Sequence, residues 1–341
     1  MVGILGYGVY IPRYRLKKEE PVKVWGGGEK GEKSVCGTDE DVVTMAVEAA
    51  DKAIKHSGIQ PSEIGSIHIG TSSSPYIEKY LSTIIAEIFE LDTKASMVDY
   101  SGSLNAGAAA LLGCMDAINA KRIGYGLVIG AENRAAAPGS EGEVSFGAGA
   151  VALVVGKDGA ICCIEDVNSY FTVITDRWRA VSDSHVSDYF DNRFGREQGY
   201  EKHTLEAASG LLKKLGKKSG DYSYMIFQQP DPKLPASVAK KLGATKEQTA
   251  LGMIYPFFGD LGSCSIFAGL AAVLGKAKAR ERILLVSYGS GISSAISILV
   301  DGEIERKRDK AFPIEQYVEK KEYIDYATYL KMTQAIKRAS Y

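Results

Sequence analysis

The chain repeats one order of elements twice, and this duplication constrains its fold more than any other feature. In each half a helix of small residues leads to an apolar strand: SLNAGAAALLGCMDAINAKRIGYGLVIGAEN (103–133) and LGSCSIFAGLAAVLGKAKARERILLVSYGSG (261–291). Such repetition indicates two similar structural units. Because a helix that is apolar on every side is normally buried, the two small-residue helices are predicted to pack together at the centre of the molecule.

An amphipathic helix followed by a strand opens each half. In the first half, Val43, Val47 and Ile54 recur at helical spacing, and Thr38 with Asp41 is expected to form the capping box. HTLEAASGLLKKLGKKSG repeats this spacing in the second half and leads to the strand YSYMIFQQP. Helices that alternate with strands in this way predict an α/β fold.

The length of 341 residues accommodates two such halves and a large core. We assign residues 1–158 to an N-terminal half, 159–302 to a C-terminal half, and 303–341 to a tail that packs on the fold or on a partner. In a doubled α/β fold, ligands bind where the carboxyl ends of equivalent strands meet. The site is therefore expected at the loops GTSSSPY, DYSGSLNAG, FQQPDPKLP, FFGDLGSCS and YGSG.

Charge, hydropathy and cysteine spacing exclude several functional classes. The formal net charge is −1, so no nucleic-acid partner is expected. No apolar run reaches about 18 residues, so no membrane span is expected. The opening MVGILGYGVYIP is interpreted as a strand rather than a signal peptide, which predicts a cytoplasmic protein. The five cysteines and four histidines match no metal-ligand spacing, so no metal site is predicted.

Several ordered motifs carry a family resemblance. They are DEDVVTMAVEAA, SSPY, the A-G-x-A-A-L helix, the KH pair, QPxxKxP, LLVSYGSG and YIDYATYL. With these motifs the chain resembles the thiolase superfamily and, within it, the archaeal-type 3-hydroxy-3-methylglutaryl-CoA synthase family. The resemblance covers nearly the whole length, except that WGGGEKGEKSV replaces a longer segment. It implies a thiolase-like fold, with two similar α/β halves stacked as a five-layer αβαβα sandwich.

The resemblance also implies catalytic positions, and this chain has changed all of them. In the family a Cys takes the acetyl group from CoA, a Glu and a His transfer protons, and an Asn holds the thioester carbonyl. The corresponding residues here are, in that order, Leu104, Ser72, Gln228 and Asp260. Leucine cannot form a thioester, and glutamine cannot exchange a proton near pH 7. A one-residue shift of the alignment would bring Ser103 or Asn105 to the nucleophile position, and neither restores a thiolate.

Four residues keep positions that bind substrate or CoA in the family. Lys233 corresponds to a lysine that contacts the CoA phosphates, and Arg193 to an arginine near the substrate. Ser145 and Ser290 correspond to serines at glycine-rich turns, where a purely structural role is the alternative. CoA or acyl-CoA is therefore the ligand that the resemblance implies, and no cofactor is required.

The altered catalytic positions favour a non-catalytic synthase-like subunit that supports a thiolase-type complex forming or cleaving carbon–carbon bonds. The partners that the resemblance implies are a catalytic thiolase or synthase subunit and a small OB-fold, zinc-ribbon protein; otherwise a homodimer is expected. The alternative is an enzyme with altered acyl-CoA chemistry (condensation, decarboxylation or hydrolysis) and no Cys nucleophile. In that alternative Asp260 is the candidate base, with Ser72, Ser103 and Gln228 as polar contacts. A role of Ser103 as nucleophile is disfavoured, because no His falls at these strand ends. A sensor of CoA esters is a third reading.

Overall fold

The computed structural model describes residues 1–27, 29–189 and 191–336. The last residues of the expected tail, 337–341, lie outside this range. Strands and helices are numbered here in chain order. The strands are β1 Gly3–Tyr10, β2 Tyr14–Lys17, β3 Glu32–Val35, β4 Ile64–Gly70, β5 Ser96–Tyr100, β6 Tyr125–Asn133, β7 Ala148–Gly156, β8 Cys162–Phe171, β9 Arg177–Trp178, β10 Ser187–Asp188, β11 Tyr224–Phe227, β12 Arg282–Gly289, β13 Ile292–Val300 and β14 Glu322–Ile324.

The helices alternate with the strands along most of the chain. They are α1 Glu19–Trp25, α2 Val42–Ser57, α3 Leu81–Ile88, α4 Ala106–Asn119, α5 Glu141–Ser145, α6 Asn192–Phe194, α7 Lys202–Leu215, α8 Lys233–Lys241, α9 Lys246–Ala250, α10 Tyr255–Phe258, α11 Ser265–Leu274, α12 Glu303–Lys307, α13 Gln316–Glu319 and α14 Tyr326–Met332. A π-helical segment, Gly195–Glu201, leads directly into α7. Within the described ranges, no helix combines the length and the apolar character that crossing a membrane requires.

Nine strands form one mixed sheet in the order β11-β12-β13-β8-β1-β7-β6-β4-β5. Strands of the first half occupy one side of this sheet, and strands of the second half occupy the other. A short antiparallel ladder between β1 and β8 joins the halves, with Gly3 opposite Cys163 and Ile4 opposite Cys162. A Cβ atom at Gly3 would lie 2.3 Å from the carbonyl oxygen of Cys162, so this junction requires glycine.

Three apolar clusters separate the layers of the molecule. Helix α2 packs on one side against β1, β6 and β7, and α7 packs on the other against β8, β12 and β13. The central cluster contains α4 and α11 together with strands of both halves. This is the pairing that the small residues of these two helices predict. At Gly107 of α4, a Cβ atom would lie 2.2 Å from the carbonyl oxygen of Ser263.

Helix α2 begins one turn later than the predicted capping box requires. Asp41, not Thr38, is the N-cap residue, and its side chain accepts a hydrogen bond from the Thr44 N–H at 2.8 Å. The Asp41 N–H in turn donates to the Thr44 hydroxyl at 2.8 Å. Both residues are good N-caps, but only Asp41 directly precedes the buried face of the helix.

The described part of the tail packs on the fold itself. Strand β14 pairs in parallel with β2, and Tyr326 and Tyr329 of α14 join an apolar cluster with Leu16 and Val35. Under this helix Lys33 is buried, donating to the Tyr329 hydroxyl at 2.9 Å and to the Glu143 carbonyl oxygen. Burial lowers the pKa of Lys33 to about 7.

We therefore expect Lys33 to make stability depend on pH. An unfolded lysine titrates near pH 10.5, so between about pH 7 and 10 the unfolded chain binds a proton that the folded chain lacks. The free energy of unfolding should then rise by about 1.4 kcal/mol per pH unit relative to Lys33→Met. Urea denaturation of both proteins at pH 7, 8 and 9 measures this difference. Lys55→Met, at an exposed lysine, is the control and should run parallel to the wild type; a constant gap between wild type and Lys33→Met would contradict the expectation.

Candidate active site

A cavity of about 1170 Å³ opens where strand ends of the two halves meet. Four of the five loops expected from the sequence line it: GTSSSPY after β4, DYSGSLNAG after β5, FQQPDPKLP after β11 and YGSG after β12. The fifth loop, FFGDLGSCS, does not line the cavity. The position of the candidate site therefore follows from the carboxyl ends of the strands, as the sequence predicts.

Leu104 lies at the turn that precedes α4, as expected for the nucleophile position. Ser103 stabilises this turn, since its hydroxyl accepts the Asn105 N–H at 3.1 Å and its carbonyl accepts the Ala106 N–H at 3.0 Å. The Leu104 N–H has no acceptor among the described residues. It lies just before the N-cap of α4, a 14-residue helix, and backbone N–H groups at a helix start carry partial positive charge. This N–H is available to an oxygen atom of a substrate.

Gly289 at the end of β12 brings the second half against this turn. A Cβ atom at Gly289 would lie 2.5 Å from the Leu104 nitrogen and 2.6 Å from the Asn105 nitrogen. No side chain fits in this space. The close approach places Ser290, the next residue, in the lining of the cavity beside Leu104.

Ser72 is held by a buried carboxylate that the sequence analysis did not single out. Glu132 accepts the Ser72 N–H at 2.7 Å, the Ser72 hydroxyl at 3.0 Å and the Ser73 hydroxyl at 2.6 Å. Glu132 is fully buried and does not line the cavity. Ser72 therefore faces the cavity as a hydrogen-bonded polar group, with its proton committed to Glu132.

Gln228 lines the cavity and is almost fully buried. Its Nε2 donates to the Gly262 carbonyl oxygen at 2.8 Å, and its backbone carbonyl accepts the Tyr200 hydroxyl. Its Oε1 has no hydrogen-bond partner in the described part of the chain. Gln228 can thus accept a hydrogen bond in the cavity, but it cannot transfer a proton.

The environment of Asp260 does not support its predicted role as the base of an altered acyl-CoA reaction. It is fully buried, lies outside the lining of the cavity, and pairs with Arg134 at 2.7 Å between Oδ2 and Nη2. Its Oδ1 accepts the Gly262 N–H at 2.9 Å, and Arg177 lies 3.8 Å away. The aromatic ring of Phe146 covers Arg134, with the guanidinium carbon 3.9 Å from the ring centroid. Asp260 is therefore a buried, charge-compensated group.

The four expected binding residues divide into two pairs. Ser145 and Ser290 line the cavity. Lys233, the first residue of α8, and Arg193 are exposed and lie outside the lining. Arg196, one helical turn after Arg193, does line the cavity. The sequence alone does not distinguish these two arginines, because α6 and the π-helical segment follow each other without a break.

Carboxylates that the sequence did not single out also line the cavity, among them Asp176 and Glu29. Asp176 accepts the Tyr288 hydroxyl at 2.7 Å and the Ser290 hydroxyl. Burial, together with Asp176, raises the pKa of Tyr288, which keeps this phenol protonated. Glu29 lies 2.6 Å from the buried Lys18 ammonium. Only Glu29 had a sequence signal, because it belongs to the shortened segment WGGGEKGEKSV.

Comparisons with known proteins agree with the fold and extend over the whole chain. Residues 212–300 match the family model described as 3-oxoacyl-[acyl-carrier-protein (ACP)] synthase III C terminal. The chain is 40% identical over 346 residues to the hydroxymethylglutaryl-CoA synthase of Methanocaldococcus jannaschii, covering 99% of this chain and 100% of the relative. It is 39% identical over 349 residues to the synthase of the same name from Methanosarcina barkeri, covering 99% of each.

Among solved structures, one described as MvaS in complex with 3-hydroxy-3-methylglutaryl coenzyme A superimposes with a TM-score of 0.88. Its sequence identity is 18%, and the match covers 98% of this chain and 91% of that chain. At this identity the likeness concerns the fold. It confirms the expected thiolase-like α/β fold.

Proposed function

Because the chain belongs to the hydroxymethylglutaryl-CoA synthase family, we propose that it is an enzyme that turns over an acyl-CoA thioester without a cysteine nucleophile. One observation carries this proposal: Leu104 lines the cavity, and its N–H, which has no acceptor among the described residues, can hold a thioester oxygen. A backbone N–H in this position stabilises the negative charge that develops when a carbonyl is attacked or an enolate forms.

The prediction of a non-catalytic subunit is wrong. Relatives that match this chain over its full length at about 40% identity are named as synthases, which supports a catalytic protein. The four altered positions remove the family's catalytic side chains, but they leave the cavity and the start of α4 in place. The expected partners, namely a catalytic subunit, an OB-fold zinc-ribbon protein or a second copy of the chain, stay predictions.

A reaction in this cavity would proceed without an acyl–cysteine intermediate. No cysteine is among the residues that line the cavity in the described part of the chain. Cys264 and Cys114 are fully buried in the central apolar cluster, and burial raises the pKa of both thiols. The thioester would therefore react directly, by condensation, decarboxylation or hydrolysis.

The proposed ligand is an acyl-CoA whose thioester oxygen lies at the start of α4. The solved structure described above holds a CoA thioester, and the shared fold makes the same ligand class a reasonable one for this cavity. Ser145, Ser290 and Gln228 supply polar contacts at its wall. Lys233 is proposed to reach the CoA phosphates only from outside the cavity, because its side chain lies on the surface. Arg193, expected near the substrate, is exposed and pairs with Glu197 at 2.9 Å.

Steady-state assays of the purified chain with acetyl-CoA and acetoacetyl-CoA test the proposal. We expect release of CoA, measured by thiol titration, without acylation of the protein, which intact-protein mass spectrometry would detect. Leu104→Trp should lower kcat/KM by about 100-fold, because the indole displaces the thioester from the Leu104 N–H. Ile88→Trp, on an exposed position of α3, is the control. A chain that binds these thioesters but leaves them unchanged, or that becomes acylated on a cysteine, would contradict the proposal.

A further inference from the structure

The cavity needs a group that transfers a proton, and the family positions do not provide one. Ser72 is committed to Glu132, Gln228 cannot ionise, and Asp260 is buried against Arg134. Among the described residues of the lining, Asp176 is the carboxylate joined through hydrogen bonds to the loop beside Leu104. It follows β8 in the chain and is partly exposed.

Two neutral hydroxyl groups hold Asp176. The Tyr288 hydroxyl donates to Oδ2 at 2.7 Å, and the Ser290 hydroxyl donates to Oδ1. These two residues flank Gly289, whose backbone lies against the Leu104 nitrogen. The carboxylate is thus tied to the same strand end that closes on the free N–H of Leu104. A thioester carbonyl at that N–H would therefore lie in the cavity that Asp176 also lines.

Four other carboxylates of the cavity are committed to cations or to backbone N–H groups. Glu141 and Glu78 are not, but neither is hydrogen-bonded to the end of β12 in the described part of the chain. Glu29 contacts the Lys18 ammonium at 2.6 Å, and Asp188 contacts the Arg177 guanidinium at 2.5 Å. Asp231 accepts two backbone N–H groups at the start of α8, at 2.6 and 2.8 Å. Asp99 does the same at the start of α3. In the described part of the chain Asp176 has no ion-pair partner within 4.0 Å, so it can exchange one hydroxyl partner for water.

We propose that Asp176 is the general base that directs a water molecule at the thioester carbonyl, which makes the reaction a hydrolysis of acyl-CoA. This inference rests on the proposed function and selects one of its three reactions. Asp176 takes a proton from water as the water oxygen bonds to the carbonyl carbon, and the Leu104 N–H holds the resulting oxyanion. The carbon–sulfur bond then breaks, the thiolate leaves with the electron pair, and Asp176 returns the proton to sulfur. The products are a free carboxylic acid and CoA.

The experiment compares the wild-type chain with Asp176→Asn on acetyl-CoA and acetoacetyl-CoA, measuring CoA by thiol titration and the acid by mass spectrometry. Equal amounts of acid and CoA are expected from the wild type. Asp176→Asn should lower kcat by about 100- to 10,000-fold, whereas KM changes little, because the amide keeps the shape but cannot accept the proton. Asp116→Asn, the same change at an exposed position of α4 outside the cavity lining, should retain the wild-type rate.

The possible failures are distinguishable. If the wild type releases CoA and Asp176→Asn does so equally fast, the inference is overturned and the proposed function stands. The same holds if CoA appears with a carbon–carbon condensation product in place of the acid, or if a decarboxylated thioester forms without release of CoA. An acyl group found on Ser290 would replace direct attack by water with a serine nucleophile and would also overturn the inference. Absence of any turnover of the thioester by the wild type would overturn the proposed function itself. The unfolding temperature of each variant shows that lost activity is not lost folding.

Discussion

Replacing Arg134 with methionine should lower the free energy of unfolding by about 3–5 kcal/mol. The substitution leaves the Asp260 carboxylate fully buried, with the Arg177 guanidinium 3.8 Å away as its remaining cation in the described part of the chain. Removing one partner of a buried ion pair is costly because the other charge stays desolvated. Urea denaturation at pH 7 measures the loss.

The double variant Arg134→Met with Asp260→Asn separates charge from packing. Asparagine keeps an acceptor for the Gly262 N–H but carries no charge, so the double variant should recover most of the lost stability. Arg13→Met is the matched control, because the Arg13–Glu322 pair is exposed and such pairs contribute at most about 1 kcal/mol. Equal losses in the single and double variants would show that Arg134 acts through its packing on Phe146 and its hydrogen bond to the Asp260 carbonyl oxygen, not through charge compensation.

Gly289→Ala should reduce acyl-CoA turnover by at least about 100-fold. The new Cβ atom would meet the backbone nitrogens of Leu104 and Asn105 at 2.5 and 2.6 Å, which forces the end of β12 away from the turn before α4. This movement would separate the Leu104 N–H from Ser290 and from the carboxylate of Asp176. Steady-state assays with acetyl-CoA and acetoacetyl-CoA measure the effect.

Gly124→Ala provides the comparison, because a Cβ atom there meets nothing within 4 Å and the backbone has no left-handed conformation. That variant should keep the wild-type rate. Unfolding temperatures of both variants would show how much of the effect at Gly289 is stability. Wild-type turnover in Gly289→Ala would mean that the reaction does not use the junction between β12 and α4.

The location of the site could be predicted because strand ends leave local signals in the sequence. Turn residues follow apolar strands, and the topology of a doubled α/β fold brings those ends together. Leu104 was placed correctly at the turn before α4 for this reason. The tight turn and the small-residue helix are both local features of DYSGSLNAGAAALLGC.

The burial and the bonding partners of each side chain were not predictable, because they depend on residues far away in the sequence. Asp260 follows a glycine at a loop, which favours exposure, yet Arg134 compensates it in the interior from the other half of the chain. Asp176 gains its position from Tyr288 and Ser290, which are more than 100 residues away. No periodicity or motif records such contacts.

The position of β1 between β7 and β8 affects how the chain folds during its synthesis. Strand β1 ends at Tyr10, but its antiparallel partners are complete only at Gly156 and Phe171. At ribosomal rates of about 5–20 residues per second, β1 waits roughly 8–30 s for both neighbours. During that interval its apolar edges are unpaired and open to other nascent chains or chaperones. The ribosome therefore has to synthesise half of the protein before the central strand of the sheet can pair on both of its edges.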